Sequence, residues 1–414
     1  MTVITGKEAL MQILKIEEVE YVFGIPGATE VVFMDALEDY PEIKYILGLH
    51  ETVAMGMAEG YARTSGKAGF LNFHTNTGLS ASFPLLYNAF EGGVPLIVTA
   101  GQQDTRLAAR EPALGADLVG LAKPFTKWST EVVNVEDIPL VMRRAFKVAL
   151  QPPQGPVFVG LPQNLLEQKL DFSYSRGALP FTRRRPDSEA VRVAAGLLKH
   201  ARNPIILVED GVAKNGALAE VVELAELTGA RVYQQWMSDV NFPVNHPLYL
   251  GDLDVNSANC LETLGGADVL IAIGTVLFSQ AIYTPGPLLP PDIKIIQVDD
   301  DPWQIAKNYP VAAGLEGDIK ISVSELTSIL KNDLCNREMV TIKKRSEGIA
   351  AEKRQIWEAL QRKAQKEAGH MPIAPSRLMQ EIRDTLPLGT RIVDDCWSYS
   401  ALLRQTLGFS EANS

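Results

Sequence analysis

A chain of 414 residues, 46% hydrophobic and 21% charged, is too long for one hydrophobic core and has the composition of a folded globular protein. Its formal net charge of −11 argues against nucleic-acid and anionic-membrane partners, which require clustered cations. No apolar run approaches the roughly 20 residues of a membrane-spanning helix, and Cys260, Cys335 and Cys396 are scattered with no C-x-x-C pair, so a reduced, cytoplasmic chain without disulfides or zinc is expected.

The opening stretch MTVITGKEALMQIL reads as a short lead-in and an amphipathic helix. Up to about residue 165, short apolar runs alternate with helical periods, the pattern of a parallel sheet with crossover helices. Strands are predicted at 20–24, 44–49, 69–74, 94–101, 126–133 and 155–161, and helices at 28–39, 52–63, 78–90 and 138–150. The strand runs are almost continuously apolar, as in strands covered on both faces. Residues 167–187, with Pro, Gly, Ser and the basic run Arg183, Arg184 and Arg185, read as a linker with a solvated charge cluster.

A second unit follows over 188–335, with helices at 188–200 and 217–228 and strands at 203–209, 230–235, 267–274 and 292–299. The last strand ends in Asp299, Asp300 and Asp301. No G-x-G-x-x-G precedes them, so they read as a polar turn and helix cap rather than a ribose-binding acid. A charged helical connector spans 336–370, with many i,i+4 pairs. Residues 371–414 show a helix at 376–386 and a strand at 390–395. The expected fold class is α/β: two doubly wound parallel-sheet domains (1–166 and a central Rossmann-like 188–335), then the start of an incomplete third α/β domain at 371–414.

Glu51 stands where the apolar run YILGL gives way to a helix. In an open parallel sheet, ligands bind beyond the carboxyl ends of the strands. The turns at Gly24-Ile25-Pro26-Gly27, His74-Thr75-Asn76-Thr77-Gly78 and Gln102-Gln103 belong to that same edge. A carboxylate, an imidazole and two amides therefore gather on one rim. By position alone, Glu51 is more often an acid favoured by the helix dipole than a catalyst, and His74 more often a satisfied loop or core histidine. The helix after Glu51 carries Ala54, Gly56, Ala58, Gly60 and Ala62, so another backbone, a second subunit or a flat ligand can approach closely.

Taken in order, F-G-I-P-G (23–27), L-H-E-x-x-A-x-x-M-A-x-G-Y-A-R (49–63), F-H-x-x-x-G (73–78), P-L-I-V-T-A-G-Q-Q (95–103), K-W-S (127–129) and Q-G-P-V-F-V-G-L-P (154–162) carry a resemblance. The chain resembles the thiamine diphosphate-dependent decarboxylase and acetolactate synthase superfamily from about Thr5 to about Asp395, and its 74–78, 99–103 and 127–129 stretches look most like benzoylformate decarboxylase. The resemblance implies that 1–166 is a pyrimidine-binding domain, joined by the 167–187 linker to the central domain and by the 336–370 connector to a diphosphate-binding domain. It implies that Glu51, in a poorly solvated cleft, contacts N1′ of the aminopyrimidine and favours its imino tautomer. Gly24, Pro26, Gly27, Gly78 and Gln102 would frame the cofactor. Ala28, His74 and Gln103 would face the substrate, with His74 handling protons.

The implied activity is non-oxidative decarboxylation of a 2-keto acid, with acetolactate synthase-like or aldehyde lyase-like carboligation as the alternative. An inactive fragment or scaffold that binds no cofactor is a competing expectation, and a flavin or nucleotide in the central domain is a third. Three departures qualify the likeness. Ala28 replaces a serine, the 280–286 stretch has no histidine before Pro285-Gly286, and there is no G-D-G … N-N signature for Mg²⁺ and the diphosphate. The Mg²⁺ site is therefore expected outside this chain, supplied within a homodimer or homotetramer or by a partner chain. Residues after about Pro375 are expected to be loosely packed or held by that partner.

Overall fold

The computed structural model describes residues 2–176, 183–236, 238–256, 259–387 and 389–411. The chain forms two compact units, Met1–Thr182 and Arg183–Ser414.

In the first unit, β1 (Thr2–Thr5) precedes β2 (Tyr21–Ile25), β3 (Lys44–Leu47), β4 (Gly69–Phe73), β5 (Leu96–Gln102), β6 (Trp128–Glu131), β7 (Val157–Pro162) and β8 (Lys169–Phe172). Six of these make one parallel sheet in the order β3-β2-β4-β5-β7-β6. Successive side chains point to opposite faces. Phe70, Ile97 and Val157 pack on one side with the Gly6–Ile16 and Ile138–Leu150 helices, and Leu71, Val98 and Phe158 pack on the other with the Glu51–Ser65 helix. Both faces are covered, so the strands need apolar residues at every position.

Two helices differ from expectation. The 78–90 period is divided into Thr75–Ala81 and Phe83–Glu91, because the Ser82 hydroxyl turns back onto the Leu79 carbonyl and Pro84 starts a new first turn. The 28–39 stretch is a 3₁₀ turn at Ala28–Glu30, an α-helix at Val31–Ala36 and a second 3₁₀ turn at Leu37–Asp39.

The 167–187 linker is also corrected. Its Leu170 and Phe172 alternate at strand period and pack on the first core, so Lys169–Phe172 becomes β8, antiparallel to β1. Residues 177–182 lie outside the described residues. The arginine run is exposed but paired. Arg184 meets Glu316 at 2.8 Å, Arg185 meets Glu325 at 2.5 Å and Arg183 lies 3.6 Å from Asp318.

The second unit holds β9 (Pro204–Val208), β10 (Arg231–Gln235), β11 (Tyr249–Leu253), β12 (Val269–Ile273), β13 (Lys294–Asp299) and β14 (Ala313–Glu316). They form a parallel sheet in the order β11-β10-β9-β12-β13-β14, which reverses direction between β9 and β12. At that reversal Gly211 and Gly274 meet main chain to main chain, with the Gly211 N–H 3.1 Å from the Gly274 carbonyl. A β-carbon on Gly211 would lie 2.5 Å from the Gly274 Cα. Beside them the buried Glu209 carboxylate accepts from the Thr275 hydroxyl at 2.7 Å and the Val276 N–H at 3.0 Å. Asp299, also buried, accepts from the Asp301 N–H in a polar turn, and the next helix begins only at Ile319, so a turn rather than a helix cap is found.

The strands β11 and β14 and the Ile319–Asp333 helix are additions to the elements read from the sequence. The Asn336–Lys366 helix lies along the second unit rather than standing clear of it, with Arg345 donating to the Gly229 carbonyl at 2.9 Å.

The strand expected at 390–395 does not form. Those residues are coil, exposed except for half-buried Ile392, Val393 is 97% exposed, and no strand among the described residues lies alongside them. The Ser400–Leu407 helix, by contrast, is docked. Arg404 lies 2.6 Å from the buried Asp252 and donates to the Ser238 carbonyl at 2.7 Å, and the Val244 N–H donates to the Phe409 carbonyl. Trp397 meets Trp236 edge to face, 4.4 Å between ring centres.

Candidate active site

The carboxyl ends of β2, β3, β4 and β5 build the rim that the sequence pointed to. β3 leads through Gly48, Leu49 and His50 into the Glu51–Ser65 helix, where the His50 ring accepts from the Thr52 N–H at 3.2 Å as an N-cap. This fixes Glu51 as the first helical residue. Its side chain is half-buried, and Oε1 lies 3.5 Å from where a β-carbon on Gly78 would stand. Among the described residues the Glu51 carboxylate has no hydrogen-bond or ion-pair partner. The Thr52 hydroxyl donates to the Ala81 carbonyl at 2.7 Å, tying this helix to the short one that carries Gly78.

That short helix begins under strain. Thr75 is fully buried at φ +45°, a left-handed conformation that costs a β-branched residue on the order of 1–3 kcal/mol. Its hydroxyl oxygen, and Oδ1 of neighbouring Asn76, are buried without a partner among the described residues. Strain and unsatisfied polar atoms together are features expected where a ligand completes a site.

His74, the residue before Thr75, is 21% exposed. Its ring lies against Gly27, where a β-carbon would come within 2.3 Å of Cγ. Nδ1 stands 2.9 Å from Glu30 Oε2 and 3.1 Å from Thr29 Oγ1. Glu30 is only 1% exposed. Its Oε2 also accepts from the Gly27 N–H at 2.8 Å, while Oε1 accepts from the Gly101 N–H at 2.8 Å and the Thr29 hydroxyl at 2.7 Å. Sequence reasoning missed Glu30 because it lay inside an apparent helix. The available signal was an acid three residues after a turn glycine, the spacing at which a side chain reaches back to a cap N–H.

The other expected residues divide. Gly27, His74, Gly78 and Glu51 lie in one connected group. Gly24 serves packing: a β-carbon there would stand 1.9 Å from the Asn72 carbonyl oxygen, so glycine lets β2 and β4 pair. Pro26 is half-buried and Ala28 is exposed on the rim. Gln102 makes contacts within the protein: its amide nitrogen donates to the Ala116 carbonyl and to Glu131, and its oxygen accepts from the Gln103 N–H. Gln103 is half-buried and donates to the Ala113 carbonyl at 3.0 Å. Both amides brace the 103–116 loop.

Among the described residues no group of three or more His, Cys, Asp or Glu side chains is arranged to hold a metal ion. Among the described residues no helix is long and apolar enough to cross a membrane.

Residues 4–121 match the N-terminal TPP binding domain of the thiamine pyrophosphate enzymes, and residues 191–326 match their central domain. The chain is 32% identical over 337 residues to a benzoylformate decarboxylase of Pseudomonas aeruginosa, covering 78% of this chain and 61% of that protein. It is 32% identical over 333 residues to an acetolactate synthase of Mycobacterium bovis, covering 80% of this chain and 54% of the other. The crystal structure of benzoylformate decarboxylase from Polynucleobacter necessarius matches with a TM-score of 0.84 at 26% identity, over 99% of this chain and 73% of that one. The chain thus spans between 54% and 61% of these two sequence relatives.

Proposed function

The chain belongs to the thiamine pyrophosphate enzymes, and from that premise we propose that it supplies the pyrimidine-binding and central domains of an enzyme that decarboxylates a 2-keto acid without oxidation. The observation that carries this reading is the uncommitted Glu51 carboxylate facing the bare backbone of Gly78. Every oxygen of Glu30 is taken by the protein; those of Glu51 are left for a ligand. The neighbouring unpartnered Thr75 and Asn76 oxygens fit the same conclusion, since thiamine diphosphate carries an aminopyrimidine with N–H donors. Bound there, the cofactor supplies a nucleophilic carbon and an electron sink for the departing carboxylate.

This chain's residues do the rest. Glu51 holds and releases a proton through its carboxylate oxygens. Gly27 gives the His74 imidazole its seat, and Gly78 keeps the backbone beside the Glu51 carboxylate free of a side chain. His74 offers its other ring nitrogen for a proton on the substrate side. Ala28 removes a hydroxyl from the rim, which favours a carboxylate held by other groups and keeps acetolactate synthase-like or aldehyde lyase-like carboligation as the second reading.

The sequence carries no G-D-G … N-N signature, and no three His, Cys, Asp or Glu side chains gather among the described residues, so we assign the Mg²⁺–diphosphate end of the cofactor elsewhere. That end falls to another segment or a partner chain, in a homodimer, homotetramer or mixed assembly. The exposed Leu47, Leu49, Val53 and Tyr87 offer apolar surface in the first unit for such a contact.

Titration of the chain with thiamine diphosphate, with and without Mg²⁺ and with and without a diphosphate-domain partner, tests the reading. Partner-dependent binding that Glu51→Gln weakens supports it. Partner-dependent binding indifferent to position 51 refutes it. Product analysis with a 2-keto acid, alone and with an aldehyde, then separates decarboxylation from carboligation.

A further inference from the structure

We infer that Glu30 is a positioning residue for His74: its buried carboxylate fixes the imidazole as the Nδ1–H tautomer and turns Nε2 to the cleft as the unprotonated nitrogen.

The argument is one of hydrogen-bond accounting. Nδ1 of His74 has two oxygen neighbours, Glu30 Oε2 at 2.9 Å and Thr29 Oγ1 at 3.1 Å. The Thr29 hydroxyl has one proton, and it goes to Glu30 Oε1 at 2.7 Å. Towards His74, Thr29 therefore presents a lone pair. A carboxylate also presents only lone pairs. With acceptors on both sides, Nδ1 must carry the proton, and in the neutral ring Nε2 then carries none.

Glu30 cannot be replaced by an amide without loss. Each of its oxygens faces a backbone N–H that cannot turn round, Gly27 at Oε2 and Gly101 at Oε1. A glutamine would set its NH₂ against one of them whichever way it was flipped. The backbone is shaped around this carboxylate as well. A β-carbon on Gly101 would stand 2.0 Å from Glu30 Oε1, and one on Gly27 would strike the His74 ring. Glycines from two separate strand ends thus make room for one buried acid, and His74 is the ring it touches.

The use of Nε2 in proton transfer rests on the proposed decarboxylase reading; the tautomer does not. The experiment separates the two. ¹⁵N-histidine NMR of the whole chain, which has five histidines, with His74 assigned by loss of its signals in His74→Gln, reads the tautomer directly. The expected result is a protonated Nδ1 and a bare Nε2 in the parent chain. Thr29→Val should keep that signature, and Glu30→Gln should convert His74 to a mixed or Nε2–H ring. An Nε2–H tautomer in the parent chain overturns the inference even if no variant folds, and so does an unchanged signature in a folded Glu30→Gln.

In the assembled enzyme, Glu30→Gln should lower kcat by about 10²-fold or more with KM changed little, the pattern of a misoriented proton carrier. Unchanged kcat in a folded Glu30→Gln would overturn the use of Nε2 in proton transfer, while the NMR signature alone decides the tautomer. Failure of the decarboxylase reading instead shows as absence of thiamine diphosphate binding with the His74 signature intact.

Discussion

Gly27 lies flat against the imidazole of His74, leaving no space for a β-carbon between them. The same glycine gives its N–H to Glu30, so turn, acid and imidazole are one unit. Gly27→Ala must therefore push the ring away and part Nδ1 from Glu30. Overpacking of this kind costs ~1–3 kcal/mol. Urea unfolding of the chain should show that loss, and the assembled enzyme should lose most of its activity. Unchanged midpoint and activity would mean that the ring has a second seat.

Glu51→Gln should behave in the opposite way. The carboxylate has no partner in the protein, so stability should stay within about 0.5 kcal/mol of the parent, as for an uninvolved surface change. Deuterium exchange at C2 of the bound cofactor should nonetheless fall by about 10²-fold or more in the assembled enzyme. Exchange at the parental rate would remove Glu51 from the chemistry.

The second unit should respond to pH through two buried acids. Burial pushes the Glu209 carboxyl up to about 7 and the Asp299 carboxyl up to about 8. In the unfolded chain both titrate near pH 4, at about the usual carboxylate values. Their stabilising contribution is therefore complete below about pH 4 and is lost as pH rises, through about 7 for Glu209 and about 8 for Asp299. Glu209→Gln keeps an acceptor for Thr275 and Val276 but has no proton to lose. At pH 8.5 it should melt higher than the parent, by an amount of order 1–3 kcal/mol, and the advantage should vanish by about pH 4. A variant whose Tm tracks the parent at every pH would dismiss the assignment.

Arg404 offers a fourth test. It is the cation facing buried Asp252, whose other oxygen accepts from the Tyr249 hydroxyl at 2.7 Å. Burial nevertheless pushes the Asp252 carboxyl up against the pull of Arg404, so desolvation outweighs attraction there. Removing the cation alone should be costly: Arg404→Met is expected to lose ~3–5 kcal/mol or to release the Ser400–Leu407 helix. Adding Asp252→Asn should restore part of the loss. Hydrogen exchange over that helix, with tryptophan fluorescence of the Trp236–Trp397 pair, reads both outcomes.

What the sequence disclosed followed physical visibility. The central strands were legible because burial on two faces demands unbroken apolar runs. The rim was legible because Gly, Pro and polar residues cluster where strands end. Glu30 was hidden because its role lies in contacts with residues 27, 74 and 101 that converge only in the fold. β11 was missed because Gly251 and Asp252 interrupt its apolar run, yet Asp252 has a partner in Arg404 far along the chain. The reverse error came at 390–395, where T-R-I-V-D-D has strand composition, but a strand requires a neighbour to pair with.

The junction of Gly211 with Gly274 bears on nucleotides. In sheets of this order, the reversal between β9 and β12 is the usual seat of a pyrophosphate, welcomed by bare amides. Here two glycine backbones meet across the gap, and the buried Glu209 carboxyl already accepts from the Val276 amide. A phosphate drawn to the Val276 amide would have to compete with Glu209 for it.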